Sequence, residues 1–253
     1  MMAVAKLPIV PVLAEPRITA ERADEILYGW QVEVLGRFGE FCHVETDYGY
    51  QGYILAGDLV AASTNTATHR IFHNLIDAVA APHVRGDVIT TLPRGAIVNV
   101  IGNIGEYAPV RLVDGRVAHI RSHFLETSVP PAFELDEETL RQNLVNTAKL
   151  YIGTQYRWGG KTHEGIDCSG LTFMAYRLNG TTIWRDAHYK EGYPLRKIPP
   201  AVARAGDLLY FEGHVAMWME YGKIIHSAYD NKMVKVQNLA VYPQKPLYAC
   251  TIF

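Results

Sequence analysis

Long apolar runs, cysteine and a dominant charge sign are all scarce in this chain of 253 residues. No stretch of 18 apolar residues occurs, so no segment is expected to span a membrane. Only three cysteines are present and none form a Cys-x-x-Cys pair, which argues against a disulfide framework or a zinc ribbon. Twenty-four basic and 26 acidic residues leave a net charge of −2, no electrostatic footprint for nucleic acid or an anionic membrane. A basic n-region is also missing: the N-terminus is apolar but broken by Pro8 and Pro11, a poor signal peptide. The direct expectation is a cytoplasmic protein. The alternative is a secreted or cell-envelope protein whose export signal has been removed. What is present is ordinary globular composition, 49% hydrophobic and 20% charged, and length enough for two or three small domains.

The first 126 residues repeat without gaps at an offset of 66. Leu13 matches Val79, Val32 and Val34 match Val98 and Val100, and Gly36, Gly39 and Glu40 match Gly102, Gly105 and Glu106. Val44, Ile54 and Leu59 match Val110, Ile120 and Leu125. Within each copy the apolar residues alternate as strands do, with glycines following. Two copies of a small β-barrel, 1–62 and 63–126, are predicted, as module duplication rather than a solenoid. A linker stiffened by Pro130-Pro131 follows. Asp136 then reads as an N-cap with Glu137 and Glu138 in the first turn, and Leu140, Leu144, Ala148, Tyr151 and Ile152 as the buried stripe of a helix opening the last domain, 127–253.

The stretch from Tyr156 to Leu171 organises that domain. Gly159, Gly160 and Gly165 form a loop that cannot be helical. Asp167 is a natural N-cap immediately before Cys168, and Leu171, Met174, Ala175 and Leu178 recur at helical spacing up to a stop at Asn179-Gly180. A cysteine at a helix start sits where a thiol is drawn toward the thiolate. Three strands are predicted downstream, around 206–211, 214–219 and 223–229, with Tyr221-Gly222 as a turn. His214 and His226, 12 residues apart (226 − 214), could then share one sheet face, the first against Cys168 and the second behind it. That is a nucleophile, a base and an orienting group. Tyr156 and Trp158 read as walls of such a site, with the Tyr156 hydroxyl available to an oxyanion. Cys42 and Cys250, inside strand patterns, read as packing residues. The pairs His69/His73 and His119/His123 lack a third ligand, so no metal is implied. Gly160-Lys161-Thr162 resembles the end of a phosphate-binding loop, but Gln155 stands where that pattern needs glycine.

At Tyr156-x-Trp-Gly-Gly, Asp167-Cys-Ser-Gly-Leu, Gly206-Asp-Leu, Gly213-His-Val and Ile225-His-Ser the chain resembles the NlpC/P60 family of cell-wall peptidases. The resemblance implies an α+β architecture: two SH3-like (SH3b) barrels followed by a papain-like domain. It implies a cysteine peptidase that cleaves the γ-D-glutamyl–diamino acid bond of peptidoglycan-derived peptides, with Cys168, His214 and His226 catalytic and no cofactor. Arg185-Asp186-Ala187 resembles the short family motif bordering the substrate cleft, with alanine where some relatives have serine. Carried over residue by residue, the substrate contacts would be Tyr50, Tyr156, Trp158, Asp167, Ser169, Asp186 and Glu21. Of these, Tyr50 and the acids Asp167, Asp186 and Glu21 would hold the free amine of an N-terminal L-alanine. Such an enzyme would act in turnover or recycling of wall peptides. The alternatives are an amidase or transpeptidase on the same fold, or a non-catalytic wall-binding protein.

Overall fold

A computed structural model describes residues 1–62, 68–127, 135–230 and 232–253. The expected Pro130-Pro131 linker lies outside the described residues. The chain divides into two compact units, Met1–Ser128 and Val129–Phe253.

The first unit is built from strands, and the repeat is visible in every one of them. One antiparallel sheet runs in the order Arg22–Leu27, Ile9–Leu13, Gln51–Leu55, Phe41–Thr46, Gln31–Phe38, Met2–Ala5, Leu59–Ala61. The other runs Val88–Pro93, Leu75–Val79, Val117–Arg121, Tyr107–Arg111, Ile97–Val100, His69–Ile71, Leu125–Thr127. Six of the seven strands begin 66 residues apart, as in 75 − 9 and 125 − 59. Period-two alternation decides what is buried. Val10, Val12, Val32, Val44 and Ile54 face inward, and so do their counterparts Ile76, Ala78, Val98, Val110 and Ile120. The pairing in each copy is an open order of seven strands rather than the closed barrel expected. Tyr28 belongs to the second copy's core, and its hydroxyl accepts from the Val113 N–H at 2.8 Å. At Gly29 the backbones approach so closely that a Cβ would meet the Ile97 carbonyl oxygen at 2.2 Å.

The second unit sets two helices against a six-stranded antiparallel sheet of order Arg196–Ile198, Tyr248–Thr251, Leu208–Phe211, His214–Trp218, Lys223–Ala228, Met233–Asn238. Helix α1 spans Glu137–Lys149 and α2 spans Cys168–Arg177. Asp136 caps α1 by accepting from the Thr139 N–H at 2.9 Å. Its buried face is Leu140, Leu144, Val145 and Ala148; Ile152, expected in the stripe, lies past the helix end and is exposed. The buried Arg141 ties α1 to the sheet through Asp207 at 2.9 Å, which gives the Gly206-Asp207-Leu208 motif a structural role. Helix α2 is buried on every side from Cys168 to Tyr176, not along one stripe, because it lies between α1 and the strands carrying both histidines. Two strands of this sheet were not expected: Arg196–Ile198, inside a proline-rich loop, and Met233–Asn238. Among the described residues no helix is long and apolar enough to cross a membrane.

Candidate active site

The loop before α2 is shaped by backbone contacts that only glycine permits. Gly159 has φ of 71°. A Cβ on Gly160 would sit 2.3 Å from the Gly165 carbonyl oxygen, and one on Gly170 would sit 2.1 Å from that of Gly160. These approaches press the hairpin Lys161–Thr162/Gly165–Ile166 against the start of α2. Lys161, the lysine of the rejected phosphate-loop pattern, is fully buried with Nζ 4.4 Å from the Phe173 ring centroid.

Asp167 anchors the loop to the helix. Its Oδ1 accepts from the Gly170 N–H at 2.6 Å and from the Ser169 hydroxyl at 3.2 Å, and its Oδ2 accepts from the Gly159 N–H at 2.8 Å. Arg185 then grips both oxygens, at 3.0 Å each, and donates to Ser169 Oγ at 2.8 Å. The guanidinium is 1% exposed, so this is a buried, bidentate ion pair. Asp167 and Ser169, both expected to contact substrate, are thus buried and bound to Arg185. Sequence reasoning placed Arg185 only in a cleft-bordering motif. Nothing local marks an arginine 18 residues downstream as the partner of a helix cap.

Cys168 occupies the first position of α2 and is 6% exposed. The backbone N–H groups of Val215 and Ser169 act on the thiol, and Val215 follows His214 directly, in keeping with the packing of α2 on the strand that begins there. Burial pushes the thiol up to about 12, and the Asp167 carboxylate adds to the rise; the Val215 N–H, Arg185 and the Ser169 N–H pull less strongly the other way. The helix-start position is as expected, but its pull toward thiolate is outweighed by desolvation. Cys42 and Cys250 are buried in strands, and all three cysteines are free.

The two histidines meet as their spacing suggests. The register Met217↔Ile225 places residue 226 opposite residue 216, so His214 and His226 are diagonal neighbours on one face. His214 Nε2 lies 2.9 Å from His226 Nδ1, and His226 Nε2 lies 3.3 Å from Gln237 Oε1. Tyr242 stacks on His214 at 5.7 Å between centroids and meets His226 edge-on at 5.4 Å, while Phe211 closes on His214 at 5.9 Å. Burial lowers His214 to about 3, with His226 adding to the fall and Asp230 opposing it; burial lowers His226 as well, against the Gln237 hydrogen bond. Gln237 was missed with its strand, although Val234 and Val236 alternate with Lys235 and Gln237.

Around this centre, Tyr156 is half-buried, its phenol raised well above the usual range by burial and by Cys168, and its ring meets Tyr229 edge-on at 5.4 Å. Trp158 is 60% exposed. Asp186 and Ala187 follow Arg185 and are partly exposed. Glu21 and Tyr50 belong to the first unit. Glu21 is exposed, and Tyr50 sits after the Phe41–Thr46 strand with its N–H on Thr46 Oγ1 at 2.9 Å.

The model of the NlpC/P60 family matches residues 153–251. A Lysinibacillus sphaericus protein named dipeptidyl-peptidase 6 is 39% identical over 246 residues, covering 93% of this chain and 90% of that protein. A Bacillus subtilis protein named gamma-D-glutamyl-L-lysine dipeptidyl-peptidase is 33% identical over 108 residues, covering 39% of this chain but only 36% of the relative. Among solved structures, an NlpC/P60 family protein from Bacillus cereus superposes with a TM-score of 0.80 at 19% identity, over 96% of this chain and 95% of that one, a likeness of fold.

Proposed function

Since the chain belongs to the NlpC/P60 family, we propose that it is a cysteine peptidase hydrolysing the γ-D-glutamyl–diamino acid bond of peptidoglycan-derived peptides. The observation carrying this reading is that α2, with Cys168 at its first position, packs on the strand that begins with His214, from which His226 and Gln237 follow in one hydrogen-bonded series. Cys168 is the nucleophile, His214 its base and His226 the orienting group. The names of the two relatives, one specifying γ-D-glutamyl-L-lysine, support the substrate class. The seven-stranded sheets are read as SH3b modules, 1–62 and 63–126, ahead of a papain-like domain, 127–253; the shared strand order at one offset supports this.

The resting pair is neutral, because burial opposes a charge on either group alone. Passing the thiol proton to His214 creates both charges together with no net charge, so the opposition is largely cancelled within the pair. The thiolate attacks the γ-glutamyl carbonyl and forms the S–C bond. Oxyanion charge falls to the Cys168 N–H, which as the first residue of α2 has no intrahelical acceptor, and to the Tyr156 hydroxyl, kept protonated by burial. Collapse expels the diamino acid's amine, which takes the proton from His214. Water then cleaves the thioester and regenerates the thiol.

The preferred substrate is a peptide with a free N-terminal L-Ala, consistent with wall-peptide turnover. Asp186, partly exposed beside the Asp167–Arg185 pair, is the candidate acid for that ammonium within this unit. The test is mass spectrometry of products from synthetic L-Ala-γ-D-Glu-diamino acid tripeptide and its N-acetylated form. Release of the diamino acid from the free tripeptide is expected, with a roughly 10- to 100-fold lower kcat/KM after acetylation. No release from either form, or equal rates on both, would overturn the corresponding half of the reading.

A further inference from the structure

From the contacts behind His226 we infer that Gln237 is a positioning residue that fixes the protons of both histidines, so that the nitrogen left bare on His214 is Nδ1. The inference rests on the reading of His214 as the base and specifies how it is held ready. A glutamine side chain has one oxygen that only accepts. Its Oε1 lies 3.3 Å from His226 Nε2, so Nε2 carries the proton and Nδ1 of the same ring is an acceptor. That acceptor lies 2.9 Å from His214 Nε2, which therefore carries a proton in its turn. A neutral imidazole has one N–H, so His214 Nδ1 keeps its lone pair. One uncharged amide thus sets two tautomers in series.

The surroundings explain why an amide fits here better than a carboxylate. Lys235 pairs directly across the strands from His226, and Gln237 is its neighbour two positions on, on the same face. The charges acting on the pair are Lys235, which discourages a proton on His226, and Asp230, which favours one on either ring; Tyr242, packed against both rings, is uncharged, its phenol raised by burial. A carboxylate at 237 would tip this balance toward a doubly protonated His226. Such a ring donates from both nitrogens, so His214 Nε2 would have to accept and its proton would move to Nδ1. The base would then be blocked. A neutral amide holds the Nε2 proton without inviting a second one.

Gln237→Glu and Gln237→Leu give opposite signatures, and packing alone would not separate them in this way. In Gln237→Glu the acidic limb of kcat/KM should move to higher pH by about one unit, with kcat near wild type on the alkaline side, where the carboxylate accepts the same hydrogen bond. In Gln237→Leu kcat should fall by about twofold or more at all pH values with KM unchanged, because either His226 tautomer is then allowed and only one leaves His214 Nδ1 bare. Two-dimensional NMR of the 15N-histidine-labelled protein reads the tautomers directly and needs no substrate. Nε2–H is expected on both rings in wild type, and a mixed His226 signal in Gln237→Leu. Nδ1–H on either ring in wild type, a wild-type kcat in Gln237→Leu, or an unmoved acidic limb in Gln237→Glu would each overturn the inference. If wild-type protein leaves the tripeptide intact, the substrate reading fails while the NMR still decides the role of Gln237.

Discussion

Removing Arg185 should damage the second unit more than removing any other single charge around Cys168. Its guanidinium and the Asp167 carboxylate are 1% and 9% exposed, and two N–H···O bonds of 3.0 Å join them. In Arg185→Leu the carboxylate would remain buried with three hydrogen bonds but no countercharge. Breaking a buried pair from one side costs about 3–5 kcal/mol. For a unit of 125 residues (253 − 129 + 1), that corresponds to a fall in Tm of roughly 12–20 °C, at about 4 °C per kcal/mol. Asp167→Asn alone strands the arginine and removes an acceptor from Gly170 or Gly159, so it should also be costly. The double variant buries no charge, and should be more stable than the sum of the singles by about 2 kcal/mol. Urea unfolding of the four proteins closes the cycle. A loss below about 1 kcal/mol in Arg185→Leu, or a coupling near zero, would refute the claim that this pair holds the loop.

Cys168→Ala should abolish turnover of the tripeptide while leaving the unfolding midpoint within about 1 kcal/mol of wild type, since one buried atom is removed; measurable turnover would exclude the nucleophile assignment. Gly170→Ala would drive a methyl to 2.1 Å from the Gly160 carbonyl, and urea unfolding should register a loss of about 2–3 kcal/mol together with loss of activity. Stability should fall on both sides of neutrality. Unfolded histidine takes up a proton below about pH 6.5, whereas folded His214 does so only near 3, so acidification favours the unfolded state, by about 2 kcal/mol at pH 5 from this group. Unfolded cysteine ionises above about 8.5 but folded Cys168 only near 12, so stability also declines as pH rises past that point, and Cys168→Ala should flatten the decline between pH 8.5 and 10. EDTA should leave turnover unchanged, because the proton acceptor is an imidazole; a loss restored by zinc would contradict this.

What could be read from the residues was governed by short periods and local chemistry. Asp136 and Asp167 are caps because an acid preceding a helical stripe has one good use for its side chain, and both accept a first-turn N–H as expected, from Thr139 and from Gly170. The offset of 66 survived into six of the seven strands because alternation and turn glycines are what a duplicated sheet must keep. His214 and His226 were legible as partners because a hairpin turn at Tyr221-Gly222 fixes their register, both residues taking positive φ. Arg185 and Gln237 were not, since each acts on a residue 18 or 11 positions away (185 − 167 and 237 − 226) through tertiary contact, where no period operates.

The thiol marks the boundary most clearly. Its place at a helix start is a property of neighbouring residues, and the expectation of a lowered pKa followed from that place. Its depth is a property of the whole unit, set by packing α2 between α1 and the sheet, and depth raises the thiol instead. The same depth lowers His214, so each group resists ionising alone and the two directions reinforce one neutral resting pair. A proton moved from sulfur to imidazole leaves the buried net charge unchanged, so the resistance that keeps the site silent toward solvent does not apply to transfer within it. In the proposed mechanism reactivity is then tied to a correctly held base. That makes the orientation of His214, fixed through His226 and Gln237, more consequential here than the helix terminus beneath Cys168.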